Sequence, residues 1–111
     1  MDPVDRYREA LMAVLRPWEQ RPGSPSSLCF EAVFDRERDR YLLVVVGWDG
    51  HRHVHSTLVH IDVIDGKLWI QYDQTEQGIA PDLVAAGVPR ERIVLAFKSP
   101  ARRALTDYAV S

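Results

Sequence analysis

His60-Ile-Asp-Val-Ile-Asp-Gly-Lys-Leu-Trp-Ile-Gln-Tyr-Asp73 is the stretch on which the fold turns. Asp65-Gly66 in its middle is a favoured two-residue hairpin turn, because type I′ geometry needs positive φ at both central positions. That turn pairs Ile64 with Lys67, Asp62 with Trp69, His60 with Gln71 and Leu58 with Asp73. Side chains alternate along a strand, so one face collects Val59, Ile61, Val63, Leu68, Ile70 and Tyr72, a core face. The opposite face collects His60, Asp62, Lys67, Trp69, Gln71 and Asp73, polar but built around a tryptophan.

The same arithmetic extends upstream. A turn at Asp49-Gly50 pairs Trp48 with His51, Val46 with His53 and Val44 with His55, and it places Tyr41, Leu43, Val45, Val54 and Leu58 on the His60 face. That face then has an apolar middle that needs a cover, since large apolar patches rarely stay exposed. The chain's own tail, a second copy in a homodimer, or a partner protein would each serve. The expected interaction surface is Tyr41, Leu43, Val45, His60, Asp62, Trp69, Gln71 and Asp73. This register also throws His51, His53 and His55 onto the apolar side. A bulge between His55 and Thr57, or a strand end overhanging the core, would turn them outward.

Two more segments complete a meander. Leu28 to Phe34 alternates Leu28, Phe30, Ala32 and Phe34 against Cys29 and Glu31, and Tyr41 to Trp48 is nearly all apolar, as in a strand covered on both faces. The charged run Asp35 to Arg40 between them reads as a solvated turn. Short connections of this kind predict antiparallel pairing of four strands.

Helices flank the sheet. Val4, Tyr7, Leu11, Val14, Leu15 and Trp18 recur at steps of three and four, with Arg6, Arg8, Glu9 and Arg16 on the other side. Asp2 is a natural N-cap and Pro3 suits the first helical position, while Pro17 disfavours helical geometry at Arg16. A turn-rich connector, Arg21 to Ser27, follows. Thr75 to Ala86 reads as a second helix, with Pro81 in its first turn and Gly87 as its stop. Pro89 to Arg92 is a turn, Ile93 to Phe97 a fifth strand, and Ser99-Pro100 the start of a short C-terminal helix. The expected class is α+β, a single domain over residues 1–111.

The bulk numbers agree with that class. The chain has 111 residues, 46% hydrophobic and 27% charged, enough for one compact core without staples. A single cysteine, Cys29, rules out an internal disulfide and suits a reducing cytoplasm. The charged start shows no signal peptide, and the longest apolar run, Tyr41 to Gly47, is too short to span a bilayer. A cytoplasmic location without membrane contact is expected. Net charge is −2, yet unevenly spread. His60 to Gly87 is acidic, whereas Arg90, Arg92, Lys98, Arg102 and Arg103 make the last segment basic.

Candidate chemistry is sparse. His51-x-His53-x-His55 puts three imidazoles on one side of a strand but lacks a fourth ligand, so a solvent-facing tip is expected and no metal. His60 and Asp62 share a face and can pair as an acid–base couple, or form a polar network under Trp69. Neither a serine nor Cys29 stands in a nucleophile's strand–turn–helix context. Asp65-Gly66-Lys67 matches a minimal nuclease D-x-K, but here Asp and Gly are used in the turn. There is no phosphate loop, zinc finger or helix-turn-helix.

Asp35-x-Glu37-Arg38-Asp39-x-Tyr41 and Val46-Gly47-Trp48 resemble the XisI family, the fdxN element excision controlling factors. So do His60-Ile-Asp62, the run Asp65-Gly66-Lys67-x-Trp69-Ile-Gln71-x-Asp73-x-Thr75-Glu76-x-Gly78-Ile79-Ala80, and Val88-Pro89. Ile93-Val-Leu-x-Phe97 and Tyr108-Ala-Val-Ser111 fit as well. The resemblance implies control of site-specific excision of a DNA element, beside a recombinase and a second factor, XisH, whose family resembles nucleases. It brings no catalytic residues and no cofactor. The expectation is a non-enzymatic accessory factor that binds a XisH-like protein, within a recombinase complex. The alternative is direct DNA contact through Arg90, Arg92, Lys98, Arg102 and Arg103, with an affinity that falls steeply with salt.

Overall fold

The structure is a computed structural model and describes residues 2–21 and 27–111. The connector expected at Arg21 to Ser27 lies almost wholly outside the described residues. Helix α1 spans Pro3–Leu15, capped by the Asp2 carboxylate, which accepts from the Val4 amide. The α-helix gives way to a 3-10 turn over Arg16–Gln20; Arg16 itself keeps helical geometry, φ −57° and ψ −41°, contrary to expectation, and Pro17 ends the α-helix by lacking an N–H to donate to it. Strands β1 (Leu28–Asp35), β2 (Arg40–Asp49), β3 (Arg52–Ile64) and β4 (Lys67–Asp73) follow in order. Then come α2 (Ala80–Ala85), a 3-10 turn (Arg90–Arg92), β5 (Ile93–Leu95) and α3 (Pro100–Arg103). Among the described residues, no helix is long and apolar enough to cross a membrane.

One five-stranded sheet holds all of it, in the order β1-β2-β3-β4-β5. The first four strands pair antiparallel, as the short turns predict, and β5 joins β4 in parallel. Parallel pairing needs a crossover, and the loop and helix between β4 and β5 provide it. Helix α1 and α2 lie on one face, the inner one. There Leu11, Leu15 and Leu83 pack with Tyr41, Leu43, Val59, Ile61, Leu68, Ile70 and Ile93 in one buried cluster.

Two bulges set the faces and correct several expectations. At the β2–β3 hairpin the turn falls on Gly50-His51, not Asp49-Gly50, so Trp48 pairs with His53 and Val46 with His55. Gly50 has φ +62° at the first central position, where a II′ hairpin wants glycine. The β3 ladder then slips by one residue opposite Leu43/Val44, leaving Leu58 as the extra residue. A bulge is therefore present, slightly downstream of the place expected. Past it, Tyr41 faces Ile61 and Leu43 faces Val59, so both belong to the core face and are fully buried. They are not on the His60 face.

The second bulge lies at Gln71. Up to Ile70 the pairing matches the Asp65-Gly66 turn, whose two residues have φ +49° and +76°. Beyond it, His60 faces Tyr72 and Val59 faces Asp73. Tyr72 is consequently turned out, 43% exposed, instead of joining the core. Asp73 is turned to the core side. Its carboxylate accepts from the Thr75 amide at 2.9 Å, the Thr75 hydroxyl at 2.5 Å and the Ile79 amide at 2.6 Å. These bonds hold residues 74–79 as a loop, so α2 starts at Ala80 and not at Thr75.

Helix α1 is locked to the sheet by a charged clasp that the charge pattern does not suggest. Arg8 donates from Nε to Asp39 Oδ1 at 2.8 Å and from Nη2 to Oδ2 at 3.0 Å, and from Nη1 to Asp5 at 2.6 Å. The Tyr41 hydroxyl donates to Asp39 Oδ1 at 3.1 Å. Asp39 is thus no solvated turn residue: it is half-buried, with φ +56°, and its carbonyl accepts from the Val63 amide. The Arg8 guanidinium, followed by the Tyr41 hydroxyl bond, holds the Asp39 carboxyl below its ordinary range. Burial, with Asp39 beside it, pushes the Tyr41 hydroxyl up to about 12.

Candidate functional site

The other face of the sheet is where a site can be built. By register it carries Cys29, Glu31 and Val33 from β1 beside Leu42, Val44, Val46 and Trp48 from β2. From β3 come His53, His55, Thr57, His60 and Asp62. None of Val33, Leu42, Val44 or Val46 packs with the core cluster. Val33 is 47% exposed and Trp48 53%, its ring 4.8 Å from that of His53. So β2 is covered on one face only, contrary to its uniformly apolar sequence.

The C-terminal segment covers one corner of this face and leaves the rest. Trp69 is level with Val94 in the β4–β5 register, and Val94 is fully buried although it stands outside the core cluster. Ala109 bridges to Val94, its amide donating to the Ile93 carbonyl. Arg103 lies 5.5 Å over the Trp69 ring and donates to the carbonyls of Leu95, Ala96 and Val110. Of the three coverings, the tail supplies the part over β4 and β5, and among the described residues nothing covers β1 to β3.

His60 and Asp62 do meet. Nε2 of His60 is 2.8 Å from Asp62 Oδ1, and Gln71 donates to Asp62 Oδ2 at 3.4 Å. His60, with Ser56, Thr57 and Tyr72, borders a shallow hollow of about 370 Å³. The hydrogen bonds of the His60 ring among the described residues go to Asp62 alone, with no hydroxyl or thiol attached. This pair is a polar island in an apolar face, and as arranged it orients an imidazole without aiming it at a nucleophile.

Of the expected interaction residues, the fold brings together His60, Asp62, Gln71 and, under Arg103, Trp69. Tyr41 and Leu43 are core, Val45 lies half-buried on their side, and Asp73 serves the loop. Leu42, Val44 and Val46 take their places, one residue out of phase, because the bulge at Leu58 inverts the inference from β3 to β2. The phase was not legible without that bulge.

Of the five basic residues, several are engaged within the chain. Arg92 reaches back to the Gly66 carbonyl at 3.5 Å, Lys98 sits over the Phe97 ring, and Arg103 is committed to carbonyls and Trp69. Arg90, just before β5, and Arg102, in α3, are exposed. His51 lies in the turn and His53 and His55 are exposed, so the histidine tip is solvent-facing. Among the described residues, no three metal-ligating side chains converge.

Comparison with known proteins gives one consistent result. A family model described as XisI protein matches residues 1–110. The crystal structure of fdxN element excision controlling factor XisI from Anabaena Variabilis ATCC 29413 is similar at 30% identity, with a TM-score of 0.81. It covers 99% of this chain and 100% of that one. A XisI-like protein from the same organism is similar at 34% identity with a TM-score of 0.86, covering 97% of this chain and 99% of that one. No curated protein matches.

Proposed function

The chain belongs to the XisI family, and from that premise we propose that it is a non-enzymatic accessory factor in the control of DNA element excision. It acts by binding another protein through the open part of its sheet, and that protein is XisH-like and nuclease-related, within a recombinase complex. The observation that carries this reading is the uncovered apolar row Leu42, Val44 and Val46 on an interior strand, in a chain whose helices α1 and α2 are used on the other face. An apolar sheet face of this kind is a recognition surface for protein far more than for phosphate. A net charge of −2 and the internal use of Arg92 and Arg103 weigh in the same direction.

The test is co-expression with the XisH-like protein of the same genome, with complex mass measured by light scattering after gel filtration. A stable mixed complex is expected. Val44→Asp should leave the chain folded and weaken that complex at least tenfold. Leu43→Asp, by contrast, should unfold it, since burying an unpaired carboxylate in the core costs several kcal/mol, on the order of the whole stability. A folded Val44→Asp variant that binds as tightly as the parent would sink the proposal.

A further inference from the structure

Two opposite charges stand side by side on the open face, and among the described residues neither has a permanent counter-ion. Arg40 and Asp62 are directly opposite in the β2–β3 register, yet they form no ion pair with each other. Asp62, with its side chain only 19% exposed, meets the His60 ring and the Gln71 amide and no lysine or arginine among the described residues. Arg40 is exposed, beside an apolar row that needs a cover.

We infer that, in the absence of its partner, the protein closes this face with the same face of a second copy, about a two-fold axis running along the strands between β2 and β3. Arg40 and Asp62 sit at one height, so this rotation lays Arg40 of each copy over Asp62 of the other. Two reciprocal ion pairs result, which is what a self-complementary contact requires. The same operation lays Leu42, Val44 and Val46 of one copy over His60, Thr57 and His55 of the other, by their register. Sheets packed face to face in this aligned way keep their strands within about 30° of one another. Strands β1 to β3, the part the tail leaves open, lie about 4.8 Å apart and run roughly 30 Å, which offers about 430 Å² of face per copy, about half the ~800 Å² of a standard interface and enough for a weak dimer.

The inference rests on the open face identified above and names its occupant before a partner arrives. Self-association and partner binding then exclude one another. Sedimentation velocity of the full chain from about 1 to 100 µM should show a monomer–dimer equilibrium, the range expected of a modest interface. R40E and D62R should each weaken the dimer about tenfold or more, and the chain carrying both should recover it, because the pair is restored with its signs exchanged. Adding the XisH-like protein should convert dimer to mixed complex.

A monomer throughout that range overturns the inference. So does a dimer indifferent to R40E, a variant of an exposed residue that decides the matter alone if D62R fails to fold. A monomer that still binds the partner sinks only this inference, while a dimer that ignores the partner sinks only the function proposed above.

Discussion

Asp39 shows how much one side chain can hold. Its carboxylate takes both prongs of Arg8 and the hydroxyl of Tyr41, and its carbonyl continues the β2–β3 ladder. Asp39→Asn should therefore lower stability by about 1.5–3 kcal/mol at pH 7, the range for a hydrogen bond to a charged group. Because the folded carboxyl titrates below its ordinary value, its contribution is fully present above the unfolded value of 3.8 and is lost as pH falls through the lower folded one. Urea denaturation from pH 5 down to pH 2 should then show a shallower acid limb in the Asn variant. An acid limb identical to the parent's would mean that the clasp contributes nothing to folding.

Among the elements, the two bulges decide what each strand presents. The bulge at Gln71 turns Asp73 under the sheet, where it gathers the loop that feeds α2. Asp73→Ala should leave the strands intact and release the amides of Thr75 and Ile79. Hydrogen exchange would read this as faster exchange over residues 75–79, with a loss of about 1–3 kcal/mol for the stranded donors. Exchange there no faster than in the parent would refute the loop's dependence on Asp73. The Asp65-Gly66 hairpin, the Asp2 cap, the Pro17 break, the Gly87 stop and the Ser99 cap were legible because each rests on local chemistry. The faces of Tyr41, Leu43, Tyr72 and Asp73 were not, since a bulge leaves no composition signal and a one-residue slip inverts every side chain beyond it. Asp39 was hidden for another reason: a charged run reads as solvated until the helix that neutralises it is in place.

At the scale of the whole molecule, the C-terminal segment bears on the two readings of the basic tail. Arg103 ties three carbonyls and covers Trp69, so it acts as a brace for β5. Arg103→Ala should lower the melting temperature and raise tryptophan accessibility to a quencher, with about 1–3 kcal/mol lost from the stranded carbonyls and the cation–π contact. It should leave any interaction with DNA unchanged. A mobility shift in low salt that Arg103→Ala or Arg102→Ala weakens would restore direct DNA contact to first place. The open face belongs to this scale too, because the two inward-facing helices cover one sheet face and the short tail covers only a corner of the other.

The parallel placement of β5 bears on the order in which the molecule assembles. Strands β1 to β4 each pair with the strand next in sequence, so their hairpins close over short loops and form early. Strand β5 finds β4 only after the intervening loop, helix and 3-10 turn are in place, and its outer edge waits for Ala109. On the ribosome the residues that seal the sheet are thus made after the four strands they seal. Until they emerge, β4 is a free edge with Trp69 uncovered, and the nascent chain is open to mispairing with its neighbours.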